Sequence, residues 1–207
     1  MATSDPASWV NTTHDWAASV DRVHLDSVRS DPDTYAPGGL LHLVLEVVAY
    51  ANDEAEALRR PGRCVVTIHS DGSVSVADNG RGTDTRRGGD GEMVKKPVMA
   101  TNDLRFFDRW HEVLLPDGAP RRGMSVVAAL SRWLTHTNRR QNGAWTQRYD
   151  YGVPTSALEP IESTQGTGTT VRFLVNRNLV PASTVTADLI RNVVDFPWLS
   201  VEVLRRR

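Results

Sequence analysis

Polar and apolar positions divide the chain into segments of distinct period. Over 40–60, between the breakers Pro37-Gly38-Gly39 and Pro61-Gly62, the pattern predicts one long helix, and over 43–49 it is apolar almost all round the wheel, which predicts burial there. Two strand-like runs, 65–70 and 73–77, flank Asp71-Gly72, a pair that readily supplies the positive φ angles of a tight hairpin turn. Helical spacing returns over 123–135 and 182–195, and a shorter helix is predicted over 21–30, stopped by Asp31-Pro32. Segments 136–153, 161–175 and 198–204 read as strands. Residues 78–122 are rich in glycine, proline and arginine and carry little periodicity, which marks a long loop, functional or mobile. Residues 1–20 read as a loosely ordered N-terminal arm, and 21–207 as one domain. Hairpins outnumber parallel crossover units. The expected fold class is therefore α/β in the sense of an α+β two-layer sandwich, a mixed sheet with helices packed on one face.

Composition narrows the function. The chain has 207 residues, 40% hydrophobic and 24% charged, which suits one globular domain with a core of its own. A formal net charge of -1 gives no global attraction for nucleic acid or acidic membranes, and no direct DNA contact is expected. Cys64 is the one cysteine, so internal disulfides and multi-thiolate zinc sites are excluded; it opens an apolar run and reads as a buried strand residue. No apolar run approaches the ~20 residues of a membrane span, and the polar N-terminus lacks a signal-peptide core. A cytoplasmic location is the expectation.

Three features carry candidate chemistry. Glu46 sits among Leu43, Val44, Leu45, Val47, Val48 and Ala49. A carboxylate there must face a cleft or pair with a cation. Asp53 falls seven residues later on the same helical stripe, so the two acids mark either a polar site or a salt bridge to one of the chain's arginines. Asp78-Asn79-Gly80-Arg81-Gly82 follows a hydrophobic strand, as suits a backbone passing close to a ligand, although Asp-Asn-Gly is also ordinary turn chemistry. Gly166-Thr167-Gly168-Thr169-Thr170 leads small hydroxyl residues into a strand. Phosphate-loop, nucleophile-elbow and histidine metal-pair patterns are absent from the sequence.

In this order the three features resemble the ATPase domain of DNA gyrase B, of the GHKL superfamily with its Bergerat fold. The most specific stretches are Leu41-His42-Leu43-Val44-Leu45-Glu46-Val47-Val48, Asp53-Glu54-Ala55, Asp78-Asn79-Gly80-Arg81-Gly82, Gly123 with Ser125-Val126-Val127, Gly152-Val153-Pro154 and Gly168-Thr169-Thr170-Val171-Arg172-Phe173. The resemblance implies ATP as ligand, with Glu46 as the general base that activates water. It implies that Asp78 accepts a hydrogen bond from the adenine amino group, with Thr169 beside it. It places Gly80 and Gly82 where the loop approaches the nucleotide, Arg81 at the pocket rim, and Asp53 near the pocket on the helix of Glu46.

The departures bear on mechanism. The family's magnesium-binding asparagine falls here on Tyr50, and a phenol is a poor ligand for a hard cation, so magnesium binding is not expected. Asn52 is turned about 200° round the helix from it. The glycine-rich phosphate lid is matched by Gly118-Ala119-Pro120-Arg121-Arg122-Gly123, in which Arg121 and Arg122 offer charged contacts in place of free backbone N–H groups. The resemblance stops short of the family's transducer domain and its phosphate-contacting lysine. The reading is an ATP-binding domain with slow or partner-dependent hydrolysis and no strand passage by this chain alone. The alternative is a degenerate module that senses a nucleotide or holds a protein partner. A protein partner or a second copy reached through the arm is compatible with either.

Overall fold

The computed structural model describes residues 13–14, 20–89, 91–106, 112–162, 166–180 and 185–206. The predicted arm lies almost wholly outside them, as do Trp9, Trp16, Trp110 and the start of the predicted 182–195 helix.

Asp21 opens the first helix, α1 (Arg22–Ser30), its carboxylate accepting from His24 N at 3.0 Å. Asp31 repeats the device for the short α2 (Pro32–Tyr35), with proline in the first turn. The long apolar run forms α3 (Gly39–Ala57), which buries Leu43, Val44, Val47 and Val48. The hairpin forms as expected from β1 (Gly62–Ile68) and β2 (Val74–Asp78).

The segment 78–122 holds more than loop. It contains a two-stranded ribbon of β3 (Thr85–Arg87) and β4 (Met93–Lys95), then a 3-10 turn at Leu104–Phe106. Strands of three residues are too short for a period to show in sequence. The predicted 123–135 helix is cut short. α4 (Met124–Ala129) ends after six residues, and β5 (Ser131–Arg140) begins where Trp133 and Leu134 continued the apolar spacing. The predicted 136–153 strand likewise divides. Gln141-Asn142 forms a turn between β5 and β6 (Gly143–Asp150), followed by β7 (Val153–Pro154) and β8 (Glu159–Pro160). β9 (Gly168–Val175), α5 (Ala187–Val193) and β10 (Leu199–Arg205) complete the order.

The main sheet runs β10-β1-β2-β9-β5-β6-β7, with β8 paired to β6. β1 and β10 are parallel and the other described pairs antiparallel, so the sheet is mixed as predicted. Inward residues of the central strands, among them Cys64, Val66, Val76, Val171, Phe173 and Leu134, share one core with α1, α3 and α4. Cys64 is fully buried, and burial pushes its thiol up to about 12. Among the described residues no helix is long and apolar enough to cross a membrane.

Candidate functional site

A cavity of about 510 Å³ opens between α3, the ends of β2 and β9, and the 81–84 and 96–99 segments. It gathers five of the sequence candidates: Asp53, Asp78, Arg81, Gly82 and Thr169. Val47, Val76, Val98, Met99 and Val171 give it apolar walls. An apolar slot with a few convergent polar groups is the usual form of a small-molecule site.

Asp78 sits at the end of β2, where the strand pairs with β9 on one side and β1 on the other. Its Oδ1 accepts from Gly80 N at 2.8 Å and Thr169 N at 3.2 Å. Among the described residues its Oδ2 has no hydrogen-bond partner, which leaves one carboxylate oxygen for a ligand. Burial raises the Asp78 carboxyl to about 6, against the two backbone N–H groups that favour its charge. Glycine is required next to it. A Cβ on Gly168, whose φ is 146°, would lie 2.0 Å from Asp78 O. Gly82 has φ 82° and also packs against backbone, so a Cβ there would meet Arg139 O at 2.6 Å. Gly80 lies behind the cavity wall against Glu54. Arg81 is at the rim, held by Glu54 through Nε at 2.7 Å, Nη2 at 3.0 Å and its backbone N at 3.0 Å.

Glu46 stands apart from this group. It is 0% exposed and does not line the cavity, whose α3 wall is made by Val47, Tyr50, Ala51, Asp53, Glu54 and Ala57. Its carboxylate accepts from Arg122 N and, at 3.1 Å, from Gly123 N, so it caps the start of α4. Arg121 Nε lies 3.8 Å from Glu46 Oε2. The salt-bridge reading of Glu46 therefore has a geometric basis, and the three lid candidates Arg121, Arg122 and Gly123 cluster about Glu46 rather than along the cavity.

Tyr50 explains the separation. Its hydroxyl donates to Asp103 Oδ2 at 2.5 Å, and its ring lies beneath the guanidinium groups of Arg121 and Arg105, 4.7 and 5.4 Å from its centroid. Arg121 makes a bidentate pair with Asp53, both contacts at 2.9 Å, and Arg105 bridges Asp53 and Asp103 at 3.0 and 2.7 Å. This network fills the face of α3 where the resemblance puts metal and phosphates. The Tyr50 oxygen is committed to Asp103, and among the described residues no cluster of three acidic, histidine or cysteine side chains could hold a metal ion. Asn52 faces a different groove and accepts from Trp198 N at 3.1 Å.

Sequence reasoning missed several contributors. His42, one turn before Glu46, contacts Asp117 Oδ2 at 2.8 Å and lies 3.6 Å from Glu46. Burial opposes its charge, yet the two acids outweigh burial and raise His42 to about 9. The i, i+4 spacing of His42 and Glu46 was a usable signal; Asp117, 75 residues away from His42, was not. Asp103, Arg105, Thr83 and His136 reach the site only through tertiary structure.

No family model matches the chain. It is 36% identical to DNA gyrase B of Haloferax volcanii over 162 residues, 72% of this chain and 25% of that protein. It is 38% identical to DNA gyrase B of Thermotoga maritima over 160 residues, and 35% identical to the corresponding B component of DNA topoisomerase 4 from Bacillus subtilis over 156. The chain thus spans about a quarter of the length of the curated relatives it matches. In structure it matches a topoisomerase IV ATP-binding domain from Francisella tularensis, solved with a small-molecule inhibitor. The TM-score is 0.63 and the identity 26%, covering 81% of this chain and 45% of that one. By sequence identity and by the match in fold, the chain belongs to the gyrase B-like, Bergerat-fold domains of the GHKL superfamily.

Proposed function

We propose that the chain binds an adenine nucleotide in the 510 Å³ cavity, without magnesium, and hydrolyses it slowly or only with a partner. The observation that carries this reading is Asp78: one oxygen pinned by two backbone N–H groups, the other unpartnered and facing an apolar slot. That arrangement offers an acceptor to an exocyclic amine, with Val76, Val171 and Met99 against the ring faces. Slow turnover follows from Glu46. A base buried outside the cavity, with its carboxylate bonded to the lid backbone, does not reach a water on the nucleotide until that segment releases it. A sensing role is the second reading, favoured by the Tyr50–Asp103–Arg105–Asp53–Arg121 network. It offers the Arg105 guanidinium at the cavity wall for phosphates but no metal ligand set.

Calorimetric titration with ATP and ADP, each with and without magnesium, tests both. Binding of either nucleotide that is indifferent to magnesium and is lost in Asp78→Asn is the expected result. Full affinity in Asp78→Asn, or an absolute need for magnesium, refutes the assignment. For the hydrolysis part, Tyr50→Asn is expected to raise magnesium-dependent turnover, as measured by phosphate release.

A further inference from the structure

The back of the cavity holds a polar relay that the nucleotide reading has not used. Thr83 and His136 both line the cavity, and Thr83 Oγ1 lies 3.2 Å from His136 Nε2. Behind the ring, Lys95 Nζ lies 3.0 Å from His136 Nδ1 and donates to Tyr149 Oη at 2.7 Å. Tyr149 in turn donates to Gln147 Oε1 at 2.6 Å. Lys95, His136 and Tyr149 are 7%, 1% and 3% exposed, and no ion pair to Lys95 occurs among the described residues.

Proton counting gives this relay a direction. Burial lowers Lys95 to about 7, and below that value it is an ammonium. An ammonium has donors and no acceptor, so His136 Nδ1 accepts from Lys95 and the ring proton resides on Nε2. Burial and the nearby Lys95 charge hold His136 well below its ordinary range, so the ring is neutral and carries that single proton. Nε2–H then donates to Thr83 Oγ1. With that lone pair taken and no other partner among the described residues, the Thr83 hydroxyl proton is free to turn to the cavity that Thr83 lines. Asn138 Nδ2 fixes the backbone here by donating to Thr83 O at 2.8 Å.

We infer that Thr83 is a specificity-determining residue, donating a hydrogen bond to an acceptor atom of the bound ring system, with His136 and Lys95 as its positioning residues. The inference rests on the nucleotide reading of the same cavity and adds to it. Asp78 reads a donor on the ligand, Thr83 an acceptor. In an adenine ligand the acceptor is an unprotonated ring nitrogen, so a ring with carbon at that place is discriminated against. A site built to satisfy a buried polar group rejects the analogue that lacks the partner.

The test is calorimetry of the full chain, buffered just below the Lys95 value, with ATP and with deaza-ATP analogues, each having one ring nitrogen replaced by C–H, and with the analogue lacking the exocyclic amine. The unaltered chain is expected to bind one deaza analogue about tenfold more weakly than ATP, the size of one hydrogen bond. Thr83→Val should bind ATP about tenfold more weakly and lose the preference among the ring analogues. Thr83→Ser, which keeps the hydroxyl, should restore both, and Lys95→Met, which frees the histidine tautomer, should blunt the preference. A Thr83→Val protein that keeps the full preference overturns the inference. So does an unaltered chain that binds ATP, is weakened by loss of the amine alone, and accepts every deaza ring equally; the nucleotide reading survives that result. Failure of the unaltered chain to bind ATP at all overturns both.

Discussion

Asp78→Asn exchanges function for stability, and the structure gives the size of the exchange. Asparagine keeps an Oδ1 to accept from Gly80 N and Thr169 N, so the turn and the entry to β9 are preserved. What changes is the other atom, where an unpartnered carboxylate oxygen becomes an amide donor. A carboxyl raised from 3.8 to about 6 by burial penalises the native state when ionised, by at most ~3 kcal/mol. The sign follows from proton uptake. Between those two values the folded chain holds the proton that the unfolded chain has released, so stability falls as pH rises through that window. It is flat above it. Asp78→Asn should therefore be more stable than the unaltered chain by ~1–3 kcal/mol above pH ~7, with the gain vanishing below pH ~4. Affinity moves the other way, by about a hundredfold or more, because a charge-assisted bond is replaced by two opposed donors. Urea denaturation of both proteins at several pH values, paired with ATP titration, measures the two effects. An asparagine variant no more stable at neutral pH, or stabilised equally in acid, refutes the reasoning about Asp78.

Three further outcomes are expected. Gly168→Ala should cost at least ~3 kcal/mol, since its Cβ would sit 2.0 Å from Asp78 O at a φ of 146°; a melting temperature within a few degrees of the parent would show that the strand can shift. Arg121→Met should destabilise by ~2–4 kcal/mol in urea titration, because it strips Asp53 of a bidentate partner and leaves the buried Glu46 with His42 as its neighbouring cation. Arg121→Lys should rescue it poorly, lacking the planar fork that stacks on Tyr50 and Phe106. His42, raised to about 9, contributes stability that is complete below its ordinary 6.5 and lost as pH rises through 9. Asp117→Asn should flatten that alkaline slope in a pH series of urea melts.

The sequence was legible where a signal is local. The α3 run, its breakers and the Asp71-Gly72 turn each act within a few residues, and all three appear as expected. The α4–β5 boundary was hidden because Trp133 and Leu134 satisfy a helical stripe and a strand face alike. The same contrast runs through the site. Asp78, Gly82 and Thr169 announce themselves by residue type beside glycine, and they do share a cavity with Asp53 and Arg81. Glu46 was equally conspicuous, yet its surroundings depend on Arg121–Gly123, which arrive from 75 or more residues away. The Lys95–His136–Thr83 relay spans three segments whose residues are individually ordinary.

β10 is the strand farthest along the chain, and it lies parallel to β1 at the margin of the sheet, Gly62 opposite Leu199. Every other neighbour of the central strands is reached across a shorter stretch of polypeptide, so this last pairing carries the largest loop-closure entropy. Assembly should begin with the hairpins and finish when β10 docks. Until then one flank of β1 remains an open ladder of amide and carbonyl groups, the most aggregation-prone moment in the life of the domain.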